Sequence, residues 1–298
     1  MISPRQLSAA VREAVETAER AGSLVPLATS IHVIHAGGID FTVRVADDWR
    51  KKPAAGGASP GAGGNPFLPP FEPGLHVCDL STTHTVLLNK FPVLDEHLLI
   101  VTREYASQVG SLTDADFAAA LHMLHAGDGL VFYNGGPEAG ASQPHRHLQW
   151  APLPLGPVGE RLAVRSWLTS ALLEDGIGHN PDLPFPHAVA RMPSAWWSRQ
   201  PDDHGAALRR LYLRLWAHLG EDATGSVQPG PFNLLSTREW VWLVPRTRDG
   251  VEGLSVNALG FAGCLLAGDA QRLAHLRRIG PLDLLTAVCP GSRGGIPA

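Results

Sequence analysis

Short apolar runs follow one another along this chain: HTVLLN at 84–89, HLLIVT at 97–102, GLVFYNGG at 129–136 and HRHLQWAPL at 145–153. Each is too short for a buried helix and is bounded by turn-forming residues, so each reads as a strand. The first two, separated by KFPVLDE, read as a buried pair. GIDFTVRVAD (38–47) and WVWLVPR (240–246) add strands, and helical patterns are interspersed. Ser3-Pro4 opens a helix through about Arg20, and Thr113 with Asp116 forms a capping box before Phe117, Leu121 and Leu124. Further helices are expected at about 161–174, at 206–219 and at 268–280. Strands and helices in mixed order, with hairpin-like neighbours, specify an α+β fold: a mostly antiparallel sheet with flanking helices. Neither an internal repeat nor a heptad is present. Residues 1–298 therefore read as one α+β domain, its C-terminal part, about 161–298, packing on the same sheet. PAAGGASPGAGG (53–64) has nothing to bury and reads as a mobile loop, whereas NPFLPPFEPG (65–74) reads as an ordered extended segment.

Composition narrows the partners. A formal net charge of −4 argues against a general nucleic-acid or anionic-membrane surface, so phosphate chemistry would need a local cluster. Cys78, Cys264 and Cys289 show no CxxC spacing. Together with an N-terminus lacking a signal pattern and no apolar run long enough for a membrane span, they suggest a cytoplasmic protein. Among the 24 basic residues only Lys51, Lys52 and Lys90 are lysines. In an arginine-rich chain these compact ammoniums are candidates for phosphate contacts.

The candidate chemistry lies in SQPHRHLQ, directly after YNGGPEAGA. On a strand His145, His147 and Gln149 share one face, while Leu148 and Trp150 face the core. Three readings of that row compete: a solvated strand, a zinc or iron site lacking a third ligand, and a nucleophilic histidine. The last has definite requirements. A neutral imidazole can attack phosphorus and carry a nucleotidyl group, provided its other ring nitrogen is protonated and held by an acceptor. Backbone amides of Gly140, Ala141, Ser142 and Gln143 could form a nest for the non-bridging oxygens, and the Gln149 amide could serve the same oxygens. A glutamine cannot deliver a proton. That favours a leaving group needing no acid, such as a polyphosphate, and an intermediate awaiting phosphate rather than water.

SQPHRHLQ, NPFLPP, LLNKFP and YNGGPEAGASQ, with PFNLLSTREWVWLVPR and SVNALGFAG, resemble the diadenosine tetraphosphate phosphorylases (ATP adenylyltransferases) of the histidine-triad superfamily. The resemblance covers about residues 40 to 268 and implies a histidine-triad-like fold. It also implies cleavage of diadenosine tetraphosphate by phosphate, giving ATP and ADP through an adenylylated histidine. By motif, His147 would be the nucleophile, the segment at His145 would orient it, and Gln149 would bind the α-phosphate. Asn134, Gly140 to Gln143, and the pair Asn89-Lys90 fall where the family contacts nucleotide or phosphate. Lys51 or Lys52 matches a lysine preceding the NPF block, and Asn257, Ala258 and Leu259 match a late nucleotide-contacting block. One departure is Gly268, where the family pattern carries a lysine; Arg272 is the nearby candidate substitute. The expected ligands are a dinucleoside polyphosphate, ATP, ADP, AMP and phosphate. No metal ligands and no tightly bound cofactor are expected, Mg²⁺ entering only with the polyphosphate. The rival readings are a nucleotidyltransferase using a sugar nucleotide or another phosphorylated acceptor, and a non-enzymatic metal- or nucleotide-binding protein.

Overall fold

The computed structural model describes residues 2–46, 64–157, 159–198 and 204–291. Its first helix, α1 (Pro4–Ala21), opens at Ser3 with a capping box and proline at the first turn, and ends where Gly22 takes a left-handed conformation. A hairpin follows, β1 (Thr29–Ala36) and β2 (Ile39–Ala46). Then come β3 (His76–Asp79), β4 (His84–Leu88), β5 (Leu98–Thr102), α2 (Asp114–Ala126), β6 (Gly129–Gly135) and β7 (His147–Pro152). The rest of the chain forms α3 (Arg165–Thr169), β8 (Leu172–Glu174), β9 (Ile177–His179), β10 (Ala188–Arg191), α4 (Gly205–His218), β11 (Phe232–Ser236) and β12 (Trp240–Pro245). Last are β13 (Gly250–Val251), β14 (Leu254–Ser255), β15 (Cys264–Ala267), α5 (Ala270–Ile279) and α6 (Pro281–Ala287).

Ten strands form one sheet in the order β3-β4-β5-β7-β6-β11-β12-β10-β9-β8. Every pairing in it is antiparallel. The pairing of β6 with β11 joins the two halves of the chain, so one sheet runs across residue 161. A smaller sheet, β1-β2-β15, adds the one parallel pair among the described residues, β2 with β15.

Side-chain alternation divides the large sheet into two faces. On the rear face Leu148, Trp150, Ile100, Tyr133 and Leu243 pack against α1, α2 and α4 through Val11, Phe117, Leu121, Tyr212 and Leu215. On the front face Phe132, Leu235, Trp242 and Val244 pack against Phe41 and Val43 of the small sheet and Leu276 of α5. A third cluster, Phe67, Leu87, Leu99 and Val101, covers the front of β4 and β5. The row starting at His147 belongs to the front face, between these two front clusters.

The structure differs from the sequence expectations at four places. The helix at about 161–174 is only one short turn, α3, and residues 172–174 are strand β8. Asp175 and Gly176, both at positive φ, make the two-residue turn of the β8–β9 hairpin, the conformation that Asp-Gly favours. Likewise Gly37-Gly38, both at positive φ, pair β2 with β1, a strand that the sequence reading passed over. Strand β7 begins at His147 rather than His145; His145 forms only an isolated bridge to Ser107, two residues before the ladder starts. Helix α6 follows a break at Gly280 and starts on Pro281, beyond the helix expected to close the chain.

Candidate active site

His147 and Gln149 project from β7 on the front face, and Asn134, on β6, lies on that face too. Both rings of the HRH motif are buried, His145 at 1% exposure and His147 at 3%. His147 Nδ1 lies 2.8 Å from the carbonyl oxygen of His145. A carbonyl only accepts, so Nδ1 carries the proton and Nε2 is left with its lone pair. Burial pushes the His147 pKa down to about 4, so the ring is neutral near pH 7. A neutral imidazole with a bare Nε2 is the species a phosphorus electrophile requires.

His145 is fixed at both nitrogens. Its Nδ1 accepts from Asn65 Nδ2 at 2.6 Å, and its Nε2–H is shared between the carbonyl (2.9 Å) and hydroxyl (2.8 Å) oxygens of Thr102. Asn65 is locked in turn, its Oδ1 accepting the Phe67 amide at 3.0 Å. The Phe67 ring stands 5.0 Å from that of His147. With both nitrogens engaged, His145 has none left for a metal ion. Among the described residues no group of three or more His, Cys, Asp or Glu side chains is disposed to hold one.

Gln149 is oriented by a residue that the sequence reading missed. His97 Nε2–H donates to Gln149 Oε1 at 2.9 Å, while His97 Nδ1 accepts from Asn89 Nδ2 at 3.0 Å. Asn89 Oδ1 accepts the Phe91 amide at 3.2 Å. With its oxygen held by His97, the Gln149 carboxamide turns its NH₂ group to the other side. Asn89 thus reaches the site through His97. Lys90, its neighbour, places Nζ 2.7 and 2.8 Å from the Glu72 carboxylate. Lys51 and Lys52 lie outside the described residues.

The glycine-rich turn meets the late block directly. Asn134 Oδ1 accepts from the Ala258 amide and from Asn233 Nδ2, both at 2.9 Å. Arg246, 2% exposed, donates to Asn233 Oδ1 at 2.5 Å and to the Val256 carbonyl at 2.9 Å. Asn257 caps the short turn 258–262 by accepting the Leu259 amide at 3.0 Å. Gly140, at φ +90°, lies so close that a Cβ there would sit 2.8 Å from Asn257 Cβ. The expected four-amide nest is reduced, however. Gly140 donates to the Pro137 carbonyl and Ala141 to that of Gly136, which leaves the amides of Ser142 and Gln143 without a hydrogen bond among the described residues. Arg272, the candidate substitute for the lysine absent at Gly268, binds Asp269 and the Gly253 carbonyl through its guanidinium.

Behind the strand, Arg146 points to the rear face and donates to Asp116 at 3.1 Å and to the Ser107 carbonyl. Asp116 also meets His84 Nε2 at 3.1 Å. Burial alone would raise the Asp116 pKa, but the His84 hydrogen bond and the Arg146 charge outweigh it and hold the carboxyl below its ordinary value.

Asn65, Thr102, His97, Asn233 and Arg246 were not singled out from sequence. For Asn65 a signal existed, its place at the head of the NPFLPP block, and Asn233 and Arg246 likewise lie within PFNLLSTREWVWLVPR; for Thr102 and His97 none did.

The family model for the Ap4A phosphorylase N-terminal domain matches residues 1–170, and that for the ATP adenylyltransferase C-terminal domain matches residues 181–290. Diadenosine 5',5'''-P1,P4-tetraphosphate phosphorylase 2 of Saccharomyces cerevisiae is 29% identical over 269 residues, 79% of this chain and 78% of that protein. Protein APA1 of the same yeast is 30% identical over 206 residues, 61% of each chain. In fold, the chain is similar to yeast Ap4A phosphorylase Apa2 solved in complex with Ap4A (TM-score 0.76, 24% identity, covering 95% of this chain and 96% of that one). It is similar also to Apa2 in complex with AMP (TM-score 0.75, 23% identity, covering 97% and 99%). With the N-terminal model alone spanning more than half of its length, the chain belongs to the Ap4A phosphorylase family.

Proposed function

We propose that this protein is a nucleotidyltransferase that cleaves diadenosine tetraphosphate with inorganic phosphate, giving ATP and ADP, through an adenylylated His147. The observation that carries the mechanism is the 2.8 Å contact from His147 Nδ1 to the His145 carbonyl, which leaves Nε2 unprotonated. Nε2 attacks the α-phosphorus, the phosphoanhydride bond breaks, and ATP departs with the bonding electron pair. An oxygen of phosphate then attacks the same phosphorus, the P–N bond breaks, and ADP leaves a neutral imidazole. The Gln149 NH₂ group donates to a non-bridging oxygen throughout, while the amides of Ser142 and Gln143 supply further donors. Asn134, Asn257, Ala258 and Leu259 shape the nucleotide side of the site. Lys90 and one of Lys51 and Lys52 supply positive charge to the phosphate chain.

In this reading Mg²⁺ accompanies the polyphosphate and is not caged by protein. The continuous ten-stranded sheet supports a single catalytic unit. The three cysteines are unpaired, and no helix among the described residues is long and apolar enough to cross a membrane. Both observations agree with a cytoplasmic enzyme. The test is mass spectrometry after mixing with diadenosine tetraphosphate in the absence of phosphate. One AMP should appear on His147, and added phosphate should release it as ADP. Normal turnover by His147→Ala would overturn the mechanism.

A further inference from the structure

The backbone of the nucleophile lacks its sheet partner on one side. Strands β6 and β7 pair from Gly129↔Pro152 to Phe132↔Gln149 and stop there, although the same register places Asn134 opposite His147. On the other side, β5 continues to Val101↔His147. The side chain of Gln108, from the loop before α2, occupies the gap. Its Oε1 accepts the His147 amide proton at 2.9 Å, and its Nε2 donates to the Asn134 carbonyl at 2.8 Å and the His147 carbonyl at 3.3 Å. A carboxamide carries the polar groups of a peptide unit, so it satisfies both backbones without a strand behind it. Gln108 is 2% exposed and is itself held: its amide donates to the Pro144 carbonyl at 2.9 Å, and its carbonyl accepts from the buried Tyr133 hydroxyl.

We propose that Gln108 is a positioning residue for the adenylyl-transfer step, its carboxamide wedged between β6 and β7 to set how far His147 stands from Asn134. The inference rests on His147 being the nucleophile. Closing the fork onto direct backbone pairing would bring the two side chains to ordinary neighbouring-strand spacing, about 4.5–5.5 Å between Cβ atoms, and narrow the space for the α-phosphate. The hydrogen bonds of the Gln108 side chain go to backbone groups of His147 and Asn134, not to the imidazole. The effect of Gln108 on the reaction passes through the backbone of His147.

Two near-isosteric variants test this. Gln108→Met removes donor and acceptor together; Gln108→Glu keeps the acceptor but turns a carboxylate oxygen toward two carbonyls. In single-turnover labelling with diadenosine tetraphosphate, both should slow adenylylation of His147 by about 100-fold, the scale of an ångström-sized misplacement. Substrate affinity should stay within about threefold and the final labelled fraction should remain complete. A normal rate, or a normal rate on a smaller labelled fraction, would overturn the proposal, the latter because it reports only fewer folded molecules. Should neither variant fold, hydrogen exchange on the wild-type protein decides. The His147 amide should exchange as slowly as those of Leu148 and Gln149, and exchange at the rate of an open loop overturns the assignment. A wild-type protein that never takes the label would sink the functional reading and this inference with it, whereas a labelled wild type with variants of normal rate sinks the inference alone.

Discussion

The carbonyl oxygen of His145 holds Nδ1 of His147 at 2.8 Å, so the first histidine of the motif acts on the second through its backbone, not its ring. That contact fixes the tautomer, and burial brings the pKa of His147 to about 4. Protonation removes the attacking lone pair, so the acid limb of adenylylation should fall at about pH 4. Rapid-quench single turnovers should therefore run nearly level from pH 7.5 to 5. A midpoint near 6.5, the value of a solvated imidazole, would show that the ring is not buried as described.

Stability should respond to acid earlier than catalysis does. His147 and His187 are both buried, each with its pKa brought down to about 4 by that burial. In the unfolded chain both titrate near 6.5. Between those values the unfolded state binds the protons, so stability is lost as pH falls from about 6.5 to about 4. At pH 5 the loss is roughly 2 kcal/mol per ring, readable as a drop in urea midpoint relative to pH 7.5. His187→Asn should flatten part of that slope.

Asn65 should matter for turnover more than for binding. Its amide meets His145 Nδ1 at 2.6 Å. Asn65→Leu removes that donor and frees the ring from one of its two anchors, at a cost of about 1 kcal/mol in the transition state, or roughly a factor of five to ten in kcat. KM should change little. Steady-state kinetics on the purified variant check the split.

His97 decides which way the Gln149 amide faces. His97→Phe leaves the glutamine oxygen without its donor, so the carboxamide can present oxygen instead of nitrogen to the α-phosphate. Activity should fall about tenfold or more, and never further than in Gln149→Ala. In the Gln149→Ala background the His97 change should add almost nothing; additive losses in that double-mutant cycle would sink the coupling.

Arg246 ties β12 to β11 and to the 256–258 turn from inside the protein. Arg246→Met would leave the Asn233 oxygen and the Val256 carbonyl without their donor. The expected destabilisation is about 3 kcal/mol in urea unfolding, with Asn134 losing its fixed orientation as a secondary effect.

Periodicity made the central strands readable. HTVLLN, HLLIVT, GLVFYNGG and WVWLVPR all became strands close to their expected bounds, and Thr113 capped α2 as its spacing suggested. The 161–174 segment is apolar enough for a helix, but the Asp175-Gly176 turn draws residues 172–174 into a hairpin with β9 instead. At the site, His147, Gln149 and Asn134 could be nominated because they sit in compact motifs. Which residue each support reaches could not be read that way. Asn65 lies 80 residues from His145, His97 lies 52 from Gln149, and Gln108 lies 39 from His147. Such contacts follow from sheet order, which no local pattern in one sequence encodes.

Arg146, on the rear of the HRH motif, is tied to Asp116, and further along the same strand Trp150 packs so tightly over Gly129 that a Cβ there would sit 2.5 Å from the indole. Sliding β7 by a single residue would swap its faces, sending a guanidinium forward into the site and an imidazole back toward the carboxylate. Charge pairing at one end and steric fit at the other therefore act as a ratchet stop, and the chemistry can run only in the one frame they permit.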